Sequence, residues 1–406
     1  MLIVKKKKEG AVIFLRIILT AIFERGSIKM GDNMLIKFTV ENYKSFKEPI
    51  TIDFSDTHDY KFNSYCVKNG LLSKAVIYGP NGSGKSNLGF AIFDIVGLLT
   101  DKQVSDHQLS ENNFINAESE TNTAKFEYLF KKGEDVIKYS YYKTAPKIIL
   151  AEELYVNDVK VFEYNFETKK YDFNRMDIIE AETLNLEYFE NNLAVLRYVA
   201  NNTIQSEDSY VRFIMNFVSH MLWFRSLQDN GYIGLTTGSE VLNNWIINNN
   251  LVKDFQAFLK EFADIDMELE VAKTNDPSAE KLIVIKHKNK PLVFGQVASS
   301  GTKALELFFY WSKRFDEVSF LFMDEFDAFY HYDLAKNILK YISTLNNVQA
   351  VITTHNSFLA SNELLRPDCY FYLNNGKLTS FVNSTERELR EGHSLEKMLR
   401  NGEFDG

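Results

Sequence analysis

A chain of 406 residues with 45% hydrophobic and 25% charged residues is long enough to bury a large core and has an ordinary globular composition. Its formal charge of −9 excludes broad, non-specific attraction to nucleic acid or to an anionic membrane surface, although a local basic patch remains open. Cys66 and Cys369 are far apart in sequence and belong to no paired motif, so neither a disulfide framework nor a zinc site is implied, and a reducing cytoplasm is the expected location.

Residues 1–33 carry the basic run Lys5 to Lys8 and an apolar stretch, Ala11 to Phe23, broken by Arg16 and Thr20. As a helix that stretch spans about 20 Å against a bilayer core of about 30 Å, and no Ala-x-Ala-like site follows it, so it reads as neither a membrane span nor a signal peptide. Translation from Met34 or Met30 is expected, with residues 1–33 a non-native or disordered extension. From Met34 the pattern is regular: Leu35 to Val40 alternates as a strand, Glu41 to Phe46 turns, and Ile50 to Phe54 alternates again, which predicts a β-hairpin.

Lys74 to Tyr78 is strand-like and runs into Gly79-Pro80-Asn81-Gly82-Ser83-Gly84-Lys85-Ser86-Asn87, a complete phosphate-binding loop. Its glycines let backbone N–H groups turn inward around a β-phosphate, Lys85 reaches the β- and γ-phosphates, and the Ser86 hydroxyl can ligate Mg²⁺. The residues from Asn87 to Leu99 are helix-like, presenting a positive N-terminal end to the anion. A Gly-rich turn without a ligand explains the spacing alone, but not the strand before it and the helix after it.

Thr100 to Thr123 is polar and reads as a loop, after which Ala124 to Phe130, Val136 to Tyr142, Ile148 to Val156 and Val159 to Tyr164 alternate as short strands. Between Glu180 and Asn250 the spacing turns helical, in Leu193 to Ala200, Tyr210 to Phe224 and Glu240 to Ile247. Asp254 to Phe262 continues it, and Met267 to Val271 and Leu282 to Ile285 restore the strand period. Core packing accounts for the 33 Phe and 21 Tyr better than a base-stacking surface, because most fall at strand or helix periodicity. Likewise Lys281, Lys286, Lys288 and Lys290 fit a solvated hairpin better than a phosphate-binding row.

Ala298-Ser299-Ser300-Gly301-Thr302 precedes an amphipathic stretch, Lys303 to Arg314. A helix cap accounts for its hydroxyls; binding of a γ-phosphate held by a second subunit accounts for the glycine as well. Ser319 to Met323 is an apolar strand ending in Asp324-Glu325, where Asp324 can hold the Mg²⁺ shell and Glu325 can polarise water. A second apolar strand, Gln349 to Thr353, ends in Thr354-His355-Asn356. Alone, such a histidine is ordinarily a satisfied core or surface residue; beside the other motifs His355 reads as a γ-phosphate donor.

The order hairpin, phosphate loop, long insertion, Ser-x-Gly-Thr helix, Asp-Glu strand and His strand resembles the ABC-class ATPases of the SMC, RecF and OLD group. It is more closely similar to the compact prokaryotic AAA-labelled ATPases of that group, found in anti-phage and abortive-infection operons. The resemblance covers roughly Met34 to the C-terminus, including Phe38-Thr39-Val40-Glu41-Asn42-Tyr43-Lys44-Ser45-Phe46 and Glu388-Leu389-Arg390-Glu391-Gly392-His393-Ser394-Leu395-Glu396-Lys397-Met398. It implies an α/β P-loop NTPase, an ABC-type ATPase head with an N-terminal β-hairpin region and a mostly helical insertion. Residues 34–175 would be the N-terminal lobe with the phosphate loop and a β subdomain, 176–265 the insertion, and 266–406 the C-terminal lobe.

By the same resemblance, the phosphate contacts fall on Gly79 to Asn87, Mg²⁺ on Ser86 and Asp324, the attacking water on Glu325 and the γ-phosphate switch on His355. Ser299 and Gly301 become the signature that completes a partner's site, and Phe326-Asp327-Ala328 lines the dimer seam. Two features depart from the pattern: Ala298 stands where the signature usually has Leu, and no Q-loop glutamine is located between the phosphate loop and the insertion. The insertion is too short and irregular for coiled-coil arms, and no Toprim nuclease half is expected after His393. The resemblance therefore implies a cytoplasmic ATPase using ATP and Mg²⁺, working as a homodimer or higher oligomer and switching an effector encoded nearby, such as a nuclease. Its rivals are a RecF-like DNA repair ATPase, which the acidic charge disfavours, a small-molecule kinase, and a nucleotide-binding scaffold that scarcely turns over.

Overall fold

The computed structural model describes residues 33–102, 113–184, 193–225, 231–235, 242–273 and 281–405; apart from Asn33, the expected N-terminal extension lies outside them. The hairpin forms as predicted, with β1 (Asn33–Glu41) antiparallel to β2 (Ile50–Asp53) and Phe38 facing Ile52. Short β3 (Val67–Lys68) and β4 (Leu71–Leu72) lead into β5 (Lys74–Tyr78), buried along its length, and then α1 (Lys85–Leu99). A meander follows: β6 (Ala124–Lys132), β7 (Asp135–Ala145), β8 (Ile148–Val156), β9 (Val159–Asn165) and the short edge strand β10 (Tyr171–Asp172). The first four lie where alternation places them. Because β6 pairs with β1, hairpin and meander make one antiparallel sheet in the order β10-β9-β8-β7-β6-β1-β2.

Helices α2 (Val195–Asn202) and α3 (Tyr210–Ser219) follow, then β11 (Met221–Arg225) and β12 (Gly231–Gly234). Here one expectation is corrected. Tyr210 to Phe224 has helical spacing throughout, yet the helix stops at Ser219 and Met221–Arg225 is a fully buried strand parallel to the strand that ends in Asp324. A run apolar on every side carries no period, so its neighbours in space decide between helix and strand.

The remaining elements are α4 (Leu242–Asn248), α5 (Val252–Ala263), β13 (Leu269–Lys273), β14 (Lys281–Ile285), β15 (Leu292–Val293), α6 (Phe294–Val297) and α7 (Ser300–Ser312). After them come β16 (Phe320–Asp324), α8 (Tyr332–Ser343), β17 (Gln349–Thr353), β18 (Tyr370–Asn374), β19 (Lys377–Ser380) and α9 (Leu395–Arg400). The second large sheet runs β12-β11-β16-β17-β5-β18-β19, and its five inner strands are mutually parallel. In the β13–β15 sheet Lys286 pairs with Glu268 and Glu270 at 3.1 and 3.0 Å at an exposed position, in keeping with a solvated hairpin. Among the described residues no helix is long and apolar enough to cross a membrane.

Helix α1 lies between the two sheets, which is why its buried positions do not form one stripe. On one side Tyr128 of β6 donates its hydroxyl to the carbonyls of Ala91 and Ile92 at 3.0 and 3.2 Å. On the other, a Cβ on Gly89 would stand 2.8 Å from the Phe322 ring and 2.9 Å from that of Trp223, so only glycine lets helix and sheet approach this closely. A buried ion pair joins α1 to the meander: Lys143 of β7 donates to both Asp94 oxygens at 2.9 Å, and the Tyr141 hydroxyl donates to Asp94 Oδ2 at 2.9 Å.

The two cysteines, distant in sequence, are neighbours in space. Both are buried, and the Cys369 hydrogen bond holds the Cys66 thiol below its ordinary range, helped by the charges of Lys74 and Arg366. Burial lowers Lys74 itself to about 8, while its ammonium donates to the carbonyls of Leu345 and Val348 at 2.9 and 2.8 Å.

Candidate active site

The five parallel strands bring their carboxyl ends to one edge of the sheet, where open α/β sheets bind ligands. The turn after β5 is the phosphate loop. Gly82 and Gly84 have φ of 79° and 105°, a region that costs a side chain dearly, and Gly84 caps α1. A Cβ on Gly79 would stand 2.2 Å from the Leu373 carbonyl oxygen, so β18 seals the loop from behind. One on Gly84 would meet Ser45 Oγ at 2.8 Å and the Phe46 ring at 2.9 Å, and Asn87 Nδ2 donates to Ser45 Oγ at 2.8 Å. The Tyr43-Lys44-Ser45-Phe46 turn is therefore a wall of the loop. Within it the Ser83 hydroxyl is buried with no hydrogen-bond partner, a polar group awaiting an acceptor or donor.

Lys85 lies at the centre. Its ammonium donates to the carbonyls of Gly79 and Pro80 at 3.0 and 3.2 Å and to His355 Nε2 at 2.8 Å. Burial lowers its pKa, opposed by the charges of Glu325 and Asp324. An ammonium has no lone pair, so Nε2 is the unprotonated ring nitrogen in this contact. The Glu325 carboxylate, 3.4 Å from Nε2, then approaches His355 without accepting a proton from it.

At the end of β16, Asp324 is 8% exposed. Burial raises its pKa, and hydrogen bonds from Ser86 and Thr353 act in the opposite direction. Glu325 is already off the strand, with φ of 46°, a left-handed conformation costing a non-glycine residue about 1–3 kcal/mol and common at functional turns. Thr353, fully buried at the end of β17, holds both acids: its hydroxyl donates to Asp324 Oδ1 at 2.8 Å and accepts from the Glu325 backbone N–H at 2.8 Å. Thr353→Val keeps the shape and removes both bonds. It is expected to lower turnover about tenfold or more while changing nucleotide affinity little, as separate kcat and KM measurements would show.

Ser299 and Gly301 are placed differently. Ser299 is the N-cap of α7, accepting from Thr302 N–H at 3.2 Å with its hydroxyl 2.9 Å from Thr302 Oγ1. A Cβ on Gly301 would stand 2.9 Å from the Phe329 carbonyl oxygen, so this glycine is required by close packing on the turn after Glu325. Among the described residues these contacts reach the Phe326–Phe329 turn and not the phosphate loop. Deeper in α7, burial raises Glu306 to about 7, opposed by Lys303, and its Oε1 is buried with no hydrogen-bond partner.

The sign of the resulting pH effect is fixed by that direction. Below the ordinary value of 4.5 the Glu306 carboxyl is neutral whether folded or not; between 4.5 and about 7 the unfolded chain ionises while the folded one keeps its proton, so stability falls, and the loss is complete once pH has risen through about 7. Glu306→Gln is expected to raise the thermal midpoint relative to the parent at pH 8, with the gain vanishing near pH 4.5.

The strands thus bring together the phosphate loop, Lys85, Ser86, Asp324, Glu325 and His355, and leave Ser299 and Gly301 on a neighbouring surface. The donor set suits a nucleotide: a glycine-rich loop, the unpartnered Ser83 hydroxyl, a lysine, and one carboxylate with one hydroxyl that would hold a divalent ion. Among the described residues no group of three His, Cys, Asp or Glu side chains forms a metal cluster. Thr353 and Ser45 escape a reading of spacing, because a Thr inside an apolar strand and a Ser in a turn have no distinguishing pattern of their own.

No curated protein matches the chain. Among solved structures it is similar to an SMC head domain from Thermotoga maritima, at 19% identity and a TM-score of 0.41 over 86% of this chain and 98% of that one. It is also similar to an SMC head bound to the C-terminal winged-helix domain of ScpA, at 17% identity and TM-score 0.42 over 86% and 97%. A third is an Smc head with an extended coiled coil bound to the C-terminal domain of ScpA, derived from Pyrococcus furiosus, at 16% identity and TM-score 0.41 over 91% and 98%. A family match across residues 74–361 spans the phosphate loop, the acidic pair and His355, and by it the chain belongs to the family described as "AAA domain, putative AbiEii toxin, Type IV TA system".

Proposed function

We propose that this protein is a cytoplasmic Mg²⁺-dependent ATPase whose two copies close head to tail around two nucleotides and reopen on hydrolysis, switching a partner effector in a prokaryotic defence system. The observation that carries the enzymatic part is the convergence of Lys85, His355 and Glu325 within hydrogen-bond or ion-pair distance beside Asp324, at the mouth of the phosphate loop. Gly79 to Asn87 would bind the phosphates, Ser86 and Asp324 would hold Mg²⁺, whose charge would offset that of the phosphates, and His355 would contact the γ-phosphate. Glu325, fixed by the Thr353 hydroxyl through its backbone, orients the attacking water in line with the bond to be broken.

The dimer is supported by the surface beside these residues. Val297, Phe329 and Phe358 are apolar side chains 48%, 39% and 53% exposed, next to the signature, the Phe326-Asp327-Ala328 turn and His355 respectively. Ser299 and Gly301, which stay off the phosphate loop of their own chain, are free to meet a partner's. The effector, a nuclease-like protein encoded nearby, rests on the anti-phage resemblance alone.

The test is the solution molar mass of Glu325→Gln with and without Mg²⁺-ATP. A shift to dimer or larger that disappears in a Lys85→Ala control supports the sandwich; an ATP-bound monomer reduces Ser299 to a helix cap and overturns it. For the effector, co-purification that returns only this chain, with and without ATP, overturns the switching role.

A further inference from the structure

One charged residue at the carboxyl edge of the sheet has no part in the reading above. Arg225 closes β11 and is aligned with Asp324 across the parallel ladder. Residues aligned in this way point to the same face of a sheet. That face is the one α1 covers, because the Arg225 guanidinium carbon lies 4.9 Å from the Phe90 ring centre and 5.0 Å from that of Trp223. The two rings meet edge to face at 4.9 Å, forming a fixed shelf for a planar cation. The residue is only 8% exposed, and its charge is felt by Asp324.

Burying a guanidinium is costly unless anionic partners compensate it. Asp324 is one such partner, its charge opposing the effect of burial on Arg225, and strand order sets the cations about it. Lys85 follows β5, Asp324 ends β16, and Arg225 ends β11 on the far side of β16, so the two cations flank the acidic pair from opposite sides. A triphosphate that started in the loop after β5 and extended toward Asp324 would bring its terminal phosphate between them. Of the two cations, arginine offers the fork of donors that matches phosphate oxygens.

We infer that Arg225 contacts the terminal phosphate of the bound triphosphate from the side opposite Lys85, and so lets the site distinguish a nucleoside triphosphate from a diphosphate. The inference rests on the nucleotide-site reading.

The experiment measures equilibrium affinities for Mg²⁺-ATP and Mg²⁺-ADP in the Glu325→Gln background, which stalls turnover, for Arg225, Arg225→Lys and Arg225→Met. Methionine keeps an apolar stem on the two rings. The expected result is that the preference for ATP over ADP falls about tenfold or more in Arg225→Met and is partly restored in Arg225→Lys. A ratio unchanged in both variants, or both nucleotides weakened equally, makes Arg225 a strut of the aromatic shelf and overturns the inference. If the parent binds neither nucleotide, the site reading itself fails, which this design separates from failure of Arg225 alone.

Discussion

Glu325→Gln is expected to lower ATP turnover on the order of a hundredfold or more, the range for loss of a positioned acid-base group, while leaving ATP affinity within a few-fold of the parent. The reason is geometric. On the proposed reading, phosphate affinity would reside in the loop amides, Lys85 and a divalent-ion position at Ser86 and Asp324, none of which the substitution touches. Glu325 occupies a left-handed turn just past the strand, anchored through its N–H to Thr353, with its carboxylate 3.4 Å from His355. Glutamine retains that anchor and the side-chain length but removes the charge proposed to orient water. A phosphate-release assay and a binding titration on the same preparation check both halves; equal losses in each would place Glu325 among the binding groups instead.

Lys143→Met should cost about 3–5 kcal/mol of stability, because it removes the cation that compensates Asp94 where both side chains are 4% exposed. Asp94 accepts both Lys143 contacts and the Tyr141 hydroxyl, so the substitution breaks the junction between α1 and the antiparallel sheet rather than one surface contact. Combining it with Asp94→Leu should recover much of the loss, since apolar residues of similar volume often replace a buried ion pair without penalty. Denaturant midpoints of the two single variants and the double variant test this. A double variant no more stable than the worse single one would mean that packing, not the unpaired charge, carries the cost.

The two expectations draw on different levels of the molecule. The acidic pair was legible because a buried parallel strand is a continuous apolar run, and charges at its end stand out against it. The ion pair was not: Asp94 sits inside a helix with no polar stripe, and Lys143 within an alternating strand like many surface lysines. Their meeting depends on α1 being sandwiched between two sheets. The same holds for Cys66 and Cys369, whose separation in the chain gave no hint of contact.

The amino-acid sequence by itself determined the phosphate loop, the strand before it, the helix after it, the acids at the end of β16, the histidine after β17 and the hairpin and meander. These are encoded locally, in glycine spacing, period-two alternation and apolar runs. Only the tertiary structure decided that Met221–Arg225 is a strand beside Asp324, that Thr353 bridges both acids, that Gly301 is required by the Phe329 carbonyl, and that Arg225 shares a face with the Asp324 carboxylate. Each of these is a relation between segments far apart in the chain, fixed by which strands lie side by side, and strand order across a parallel sheet leaves no periodic trace in any one of them.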